Sequence, residues 1–137
     1  MMIYSTNKQR GNAGLSLAIA YYGCNDYTVS IPLNDTQDYD LIVDKNGDLL
    51  KVQVKFVSYK DKYGAYQANL KSSGGTKGAI YKTVKDTNID IVFIVCSDKT
   101  LYEIPISEIE NSSSLNLRKE PSRYSNAKDY SKFIVTI

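Results

Sequence analysis

The chain contains no histidine, and this absence excludes several kinds of catalytic site. Without an imidazole the protein has no Ser-His-Asp or Cys-His catalytic group. It also has neither a His-Asn-His nuclease motif nor a histidine-ligated zinc ion. Serine and cysteine hydrolases of the familiar kinds are therefore excluded.

Cysteine is scarce, and long apolar runs are lacking. The two cysteines, Cys24 and Cys96, stand in apolar surroundings without CxxC spacing, which predicts buried reduced thiols rather than a disulfide framework or a metal cluster. No stretch approaches the ~20 apolar residues of a membrane span, and the N-terminal residues lack the pattern of a secretion signal. We expect a cytoplasmic protein with no membrane partner.

The length of 137 residues predicts one domain, residues 1–137, with its own hydrophobic core. The net charge of +2 is small, but it conceals an uneven distribution. Acidic residues gather between Asp26 and Asp48, whereas basic residues predominate at Lys8 and Arg10 and from Lys51 to Lys85. A local basic patch could bind phosphate groups.

An amphipathic helix is predicted over residues 7–22, with Asn7 as its N-cap and Gly23 ending it. Gly11 and Gly14 weaken its first turns and indicate a close approach by another backbone or a ligand. The apolar residues at helical spacing are Leu15, Ala18, Ile19 and Tyr22.

Short β-branched and aromatic runs predict strands along the rest of the chain. The run before Cys96 is continuously apolar, which is typical of a strand buried on both faces. Ser72-Ser73-Gly74-Gly75 predicts a flexible loop, and residues 107–110 a short helix. The order of elements indicates an α/β or α+β fold with a mixed sheet. The predicted strands are 27–31, 40–44, 49–57, 65–71, 90–96, 100–104 and 133–137.

A hairpin is predicted at Asn46-Gly47, a strong signal for a two-residue turn. Lys45 then faces Asp48, and every further pair has residue numbers that add up to 93, so Asp40 lies opposite Gln53. Alternation along the second strand puts Lys51, Gln53 and Lys55 on one face. The core face of that strand carries Leu50, Val52, Val54 and Phe56.

Asp40, Gln53 and Lys55 form the candidate catalytic cluster. Opposed Cβ atoms lie ~4.5–5.5 Å apart, so the carboxylate of Asp40 and the amide oxygen of Gln53 could share one Mg²⁺ ion. Lys55 could then orient a water molecule or stabilise the charge that builds up on a phosphate. The alternative is an ordinary solvated hairpin face in which Asp38 and Lys55 form a cross-strand ion pair.

Asp40 followed by Gln53-Val54-Lys55 resembles the signature of the PD-(D/E)XK nuclease superfamily. Wider strings make the chain similar to the branch of group I intron-encoded homing endonucleases, with Tyr39 in place of the signature proline. These strings are Gly11-Asn12-Ala13-Gly14-Leu15, Ala18-Ile19-Ala20-Tyr21-Tyr22, Tyr39-Asp40-Leu41-Ile42-Val43 and Lys51-Val52-Gln53-Val54-Lys55; weaker ones are Ser72 to Gly75, Asp90 to Val95 and Ala127 to Tyr130.

The resemblance implies a restriction-endonuclease-like αβββαβ core, double-stranded DNA as substrate, a divalent metal (Mg²⁺ or Mn²⁺) and a homodimer or homotetramer. Asp40 and Gln53 become metal ligands, the Val54 carbonyl a third, and Lys55 the catalytic lysine. Relatives often carry an acid on the first helix where this chain has Asn12, which we include among the candidate catalytic residues.

Basic residues outside this cluster are candidates for contact with DNA phosphates. Tyrosines at 59, 63, 66 and 81 could pack on sugars or bases, although an ordinary solvated surface is the alternative. Gly74-Gly75-Thr76-Lys77 lacks the full phosphate-loop pattern, so no nucleotide or other small-molecule cofactor is expected. The candidate DNA-binding residues are Lys8, Arg10, Lys71, Lys77, Lys82, Arg118 and Arg123.

The sequence therefore predicts a Mg²⁺-dependent, site-specific double-strand DNA endonuclease, plausibly an intron-homing enzyme. Three alternatives stay open. The first is a Holliday-junction resolvase or repair nuclease, and the second is a catalytically inactive DNA-binding module of the same fold. The third is a tyrosine-rich protein-interaction domain.

Overall fold

The computed structural model describes residues 6–74, 80–110, 113–121 and 128–137, and only the backbone of 72–74 and 80–82. One α-helix and ten strands are present in these ranges. Single turns of 3-10 helix occupy Val84–Asp86, Ile106–Glu108 and Ser131–Phe133. The elements are α1 (Asn7–Cys24), β1 (Thr28–Ser30), β2 (Leu41–Lys45), β3 (Asp48–Val57), β4 (Tyr66–Asn69), β5 (Ser72–Gly74), β6 (Ile80–Lys82), β7 (Ile91–Cys96), β8 (Leu101–Pro105), β9 (Ser114–Leu117) and β10 (Ile134–Val135).

Helix α1 begins at residue 7 of the predicted range, but its N-cap is one residue earlier than predicted. Thr6, not Asn7, is the N-cap: its hydroxyl accepts a hydrogen bond from the Gln9 backbone, and the Gln9 side chain accepts one from the Thr6 backbone. This reciprocal pair satisfies two backbone donors that would otherwise lack partners. At the other end the helix continues through Gly23, because the Asn25 amide and backbone N–H both bond to carbonyls of the last turn.

Six strands form the central sheet in the order β1-β2-β3-β7-β8-β10. Only the β3–β7 pair is parallel, and the other four pairs are antiparallel, so the sheet is mixed as predicted. Two further pairs, β4–β9 and β5–β6, form separate two-stranded ribbons. The fold is therefore a mixed α/β arrangement built on one sheet and one helix.

The two faces of the sheet belong to different parts of the core. Helix α1 covers one face, where Ala18 and Tyr22 pack with Val52 and Phe93. The opposite face is covered by residues of the β4–β9 ribbon, including Leu117. Strand β7 is buried along its whole length, with alternate side chains in each cluster, which confirms the prediction from its continuous apolar run.

Two expectations were wrong. Ser72 to Gly74 pair with β6 as strand β5 rather than forming a loop, and Gly75 lies outside the described residues. Cys24 is exposed on the last turn of α1 instead of buried, while Cys96 is buried; both are free thiols. Burial raises the pKa of the Cys96 thiol to about 12, so that thiol stays protonated.

The αβββαβ order of elements, which the resemblance implied, is matched except at its second helix. In the described part of the crossover from β3 to β7, strands β4 to β6 and one 3-10 turn stand where that helix was expected. Among the described residues, no helix is long and apolar enough to cross a membrane.

Candidate active site

The register of the β2–β3 hairpin is the one that the Asn-Gly turn predicted. Lys45 pairs with Asp48 and Leu41 with Val52, so paired residue numbers add up to 93 throughout. Asn46 and Gly47 both have positive φ, 54° and 94°, as a type I′ turn requires. The turn thus sets which residues of β3 lie beside Asp40.

Asp40 is held by two bonds to the backbone of β3. Its N–H donates to the Val52 carbonyl at 2.8 Å, and its carboxylate Oδ2 accepts from the Val54 N–H at 2.7 Å. The side chain therefore continues the ladder of hydrogen bonds one step beyond the start of β2. The bond to Val54 fixes the position of Oδ2. Because Asp40 is an exposed residue, its other carboxylate oxygen, Oδ1, is on the solvent-accessible part of the chain.

The orientation of the Gln53 amide is set by its neighbour across the hairpin. Gln53 Nε2 donates to the main-chain carbonyl of Asp38 at 3.1 Å. Because the amide nitrogen is used in this bond, the oxygen Oε1 remains as the acceptor. Gln53 and Asp40 therefore lie at neighbouring positions, and each has one side-chain oxygen that could bind a metal ion.

Lys55 lies on the same face of β3 as Gln53, since side chains alternate along a strand. Its ammonium group is half-buried, and desolvation lowers the pKa of Lys55, an effect that the negative charge of Asp40 opposes. Desolvation also raises the pKa of Asp40, against the Val54 hydrogen bond and the positive charge of Lys55. Asp40 is accessible to solvent, yet the protein atoms around it are dense enough to disfavour its charge.

Paired groups whose pKa values are shifted toward each other are typical of functional sites. The alternative of a plain Asp38–Lys55 ion pair is not observed: within the described ranges the ion pairs are Lys45–Glu103, Lys119–Asp98 and Lys128–Glu108. Lys55 instead interacts with the Asp40 charge.

Asn12 and Val54 complete the predicted set. Asn12 is exposed on α1, and its carbonyl accepts a hydrogen bond from Ser16. The helix covers the sheet face that carries Val52 and Val54, opposite to the face of Gln53 and Lys55. Val54 donates its N–H to Asp40 and buries its side chain against the helix. Roles for Asn12 and for the Val54 carbonyl remain predictions.

The donor set fits a hard cation that keeps several waters. Asp40 supplies a carboxylate and Gln53 an amide oxygen, and in the described residues no three His, Cys, Asp or Glu side chains come together. Mg²⁺ is commonly held by one or two carboxylates together with neutral oxygens and substrate phosphate. Mn²⁺ also accepts such oxygen ligands.

The described candidates for DNA binding lie on different elements: Lys8 and Arg10 are in α1, Lys71 follows β4, and Arg118 follows β9. Lys8 and Lys71 are exposed, and Arg10 and Arg118 are partly exposed. Lys77, the side chain of Lys82 and Arg123 lie outside the described residues, as does the side chain of Tyr81. Tyr59 and Tyr63 are exposed, whereas Tyr66 is buried in the core.

Asp90 was missed as a residue that positions the site. Its carboxylate accepts a hydrogen bond from the Lys51 N–H at 2.9 Å, and its own N–H donates to the Lys51 carbonyl. These bonds tie the start of β7 to β3 two residues before Gln53. The signal in the sequence was an acidic residue directly before a buried strand.

Comparison with known proteins agrees with the geometry. The chain has the fold of a bacterial homing endonuclease of known structure, with 22% identity, a TM-score of 0.79, and coverage of 95% of this chain and 89% of that one. No curated protein matches. The PD-(D/E)XK endonuclease family matches residues 5–133, which includes the whole Asp40, Gln53 and Lys55 cluster. This chain is a member of the PD-(D/E)XK endonuclease family.

Proposed function

We propose that the protein is a divalent-metal-dependent endonuclease that cleaves double-stranded DNA at a specific site. One observation carries the proposal: the Asp40 carboxylate is fixed by the β3 backbone, beside Gln53 and Lys55. Family membership supports nuclease chemistry, and the fold shared with a homing endonuclease supports DNA as the substrate.

Asp40 and Gln53 would hold the metal, with the Val54 carbonyl as a third ligand. A bound Mg²⁺ would supply a Lewis acid for the scissile phosphate and a more acidic bound water. Asp40 contributes the charge, and its bond to Val54 keeps the carboxylate from rotating. The Gln53–Asp38 bond does the same for the amide, so both ligands are oriented before substrate arrives.

Lys55 would act on the attacking water or on the charge that develops on the phosphate. Its half-buried ammonium retains N–H donors that can point to an oxygen. Because a desolvated charge interacts more strongly with a developing anion than a solvated one does, its position favours the transition state over the ground state. The lowered pKa of Lys55 also makes proton transfer from this group easier.

Assembly and biological context extend the proposal. We propose that residues 1–137 form one domain that assembles as a homodimer or homotetramer. A chain of 137 residues offers limited surface for a long target, and two copies would place one site on each DNA strand. Intron homing is the proposed biological role, and its support is the structural neighbour.

A second function, DNA binding without cleavage, is favoured by one observation. The position where relatives often carry an acid is Asn12, an exposed amide, and in the described residues no three metal-ligating His, Cys, Asp or Glu side chains come together. Metal affinity would then be low. A single experiment separates this function from the first.

The experiment is cleavage of a randomised linear duplex library by excess enzyme with Mg²⁺, Mn²⁺ or EDTA. Wild type and Lys51→Ala should cut at one sequence with metal, whereas Lys55→Ala should not. Lys51 is the matched control because it lies on the same face of β3, two residues before Gln53. Duplex binding without cutting by any variant would support the binding module, and preference for a branched junction would support a resolvase.

A further inference from the structure

A cavity of about 260 Å³ lies away from the Asp40 cluster, between the start of the β4–β9 ribbon and the turn from β7 to β8. Its walls combine tyrosine rings with charged groups. The charged lining residues are Lys60, Asp98, Arg118, Lys119 and Glu120, and they stand beside the rings of Tyr63 and Tyr66. The proposed active site does not use any of them.

The cavity opens on the same side of the central sheet as the catalytic cluster. Tyr66, Tyr102 and Leu117 line it and belong to the core that contains Val57. Val57 alternates with Phe56 and so lies on the face of β3 that carries Lys55. Lys60 follows Lys55 by five residues, so their Cα atoms are at most about 18 Å apart. One DNA strand can reach both.

Three cations and two carboxylates line the cavity, so its net charge is +1 (3 − 2). Lys119 is already paired with Asp98, with Nζ 3.3 Å from Oδ2. Lys60 Nζ lies 4.7 Å from the centre of the Tyr66 ring, and no carboxylate within the described ranges forms an ion pair with it. Arg118 donates one N–H to the Tyr63 carbonyl at 3.2 Å.

Within the part of the chain that the structure describes, the Arg118 guanidinium is held by one hydrogen bond. A guanidinium has five N–H donors, and the bond to Tyr63 uses one. The Tyr63 carbonyl belongs to a rigid turn, since Asp61 Oδ1 accepts from the N–H groups of Tyr63 and Ala65, each at 2.9 Å. The guanidinium is therefore held in place. Its charge interacts with the nearby Asp61 carboxylate, although the two form no direct ion pair in the described residues. Such an arrangement suits a phosphate, which arginine can bind with two parallel bonds.

We infer that this cavity binds a backbone phosphate of the DNA strand that flanks the cleaved bond. Lys60 and Arg118 supply the positive charge, and the exposed ring of Tyr63 packs against the adjoining sugar. Asp98 and Glu120 limit the affinity, because both carboxylates repel the phosphate and Asp98 also pairs with Lys119. This inference rests on the proposed function, since it takes DNA to be the ligand.

The test is the salt dependence of duplex binding, measured by fluorescence anisotropy with EDTA present so that no cleavage occurs. A plot of log K against log salt has a negative slope, and each lost phosphate contact makes that slope shallower by about 1. Lys60→Gln and Arg118→Gln should each show this loss, whereas Lys132→Gln should keep the wild-type slope. Lys132 is a matched control because it is an exposed lysine on the turn before β10, at one edge of the sheet.

Two more variants guard against a folding artefact. Arg118→Lys keeps the charge and should keep the slope, and Asp98→Asn should bind more tightly than wild type at each salt concentration. Slopes for Lys60→Gln and Arg118→Gln equal to that of Lys132→Gln would overturn the inference. If wild type cleaves DNA but these slopes are equal, only the phosphate site fails; if wild type neither binds nor cleaves DNA, the proposed function fails.

Discussion

Lys45 and Glu103 form an ion pair, with Nζ 2.8 Å from Oε1, although β3 and β7 lie between their strands in the sheet. The pair is largely buried, since only 23% of the Lys45 side chain and 14% of the Glu103 side chain are exposed. The ammonium also lies over the rings of Tyr22 and Tyr27, at 5.7 and 5.1 Å from their centres. The Lys45–Glu103 pair and the two tyrosine rings thus connect α1 to strands β2 and β8.

Lys45→Met should therefore destabilise the protein by about 3 kcal/mol, because the Glu103 carboxylate stays buried without its partner. Urea unfolding measures the change. The double variant Lys45→Met/Glu103→Leu should recover most of the loss, since a buried pair can be replaced by apolar groups at little cost. Equal stability of Lys45→Met and wild type would contradict the argument.

Gly14→Ala should stabilise the protein by about 0.5–1 kcal/mol through helix propensity. A Cβ atom there would lie 3.5 Å from Phe56 Cβ and 3.6 Å from Val54 Cγ1, which are ordinary contacts. Gly14→Leu should instead cost about 1–3 kcal/mol, because a larger side chain forces the helix away from β3. Thermal unfolding measures the change in stability of both variants, and a cleavage assay measures whether their activity changes with it.

Gly11 provides the matched control, since nothing lies within 4 Å of a Cβ atom there. Gly11→Ala should give the same gain as Gly14→Ala, and Gly11→Leu should be tolerated. If Gly11→Leu and Gly14→Leu behaved alike, contact with β3 would not be what constrains Gly14.

Gln53→Glu should lower the Mg²⁺ concentration needed for half-maximal cleavage, because a second carboxylate attracts the ion more strongly than an amide does. Gln53→Leu should raise it by removing a ligand. A metal titration of the cleavage rate measures both changes. Gln67→Glu, an exposed glutamine on β4, controls for added charge and should leave the titration where it is. Identical titrations for all three variants would exclude Gln53 as a ligand.

Asp40→Asn should raise the melting temperature at neutral pH while abolishing cleavage. Desolvation raises the pKa of Asp40 in the folded protein, so folding disfavours its ionised form. The resulting penalty is fully present above the folded pKa and disappears as pH falls through that value to below the unfolded pKa. The difference in melting temperature between the variant and the metal-free wild type should close over that acidic range.

Asp48→Asn is the control, because Asp48 is an exposed carboxylate of the same hairpin. It should keep wild-type cleavage, since Asp48 lies outside the Asp40, Gln53 and Lys55 cluster. A melting temperature of Asp40→Asn below that of wild type at neutral pH would mean that the Val54 hydrogen bond outweighs the desolvation of the carboxylate.

The local parts of the site could be predicted from the sequence. The Asn46-Gly47 turn fixes the register, and alternation along β3 then places Gln53 and Lys55 on one face. The turn and the alternation of side chains both depend on residues that are close together in the sequence. The bond from the Val54 N–H to Asp40 could not be predicted, because it depends on where β2 stops pairing.

The pairing of the strands in the crossover between β3 and β7 could not be predicted, for a different reason, although a strand was predicted at residues 65–71. Strand β4 pairs with β9, far along the chain, and no local pattern encodes such a partner. Gly74 suggested a loop, yet it pairs with Ile80 in a ribbon. Cys24 was expected to be buried because its neighbours in the sequence are apolar, but it lies exposed on the last turn of α1.

The parallel pairing of β3 with β7 also governs when the site forms during folding. The hairpin that brings Asp40 beside Gln53 closes over a two-residue turn, at little entropic cost. Lys55, however, packs beside Ile94 only after the whole crossover has been traversed, and such distant pairings form slowly. On a ribosome the two candidate ligands would therefore meet well before the lysine is held in place, and nuclease activity would appear as one of the last events of folding.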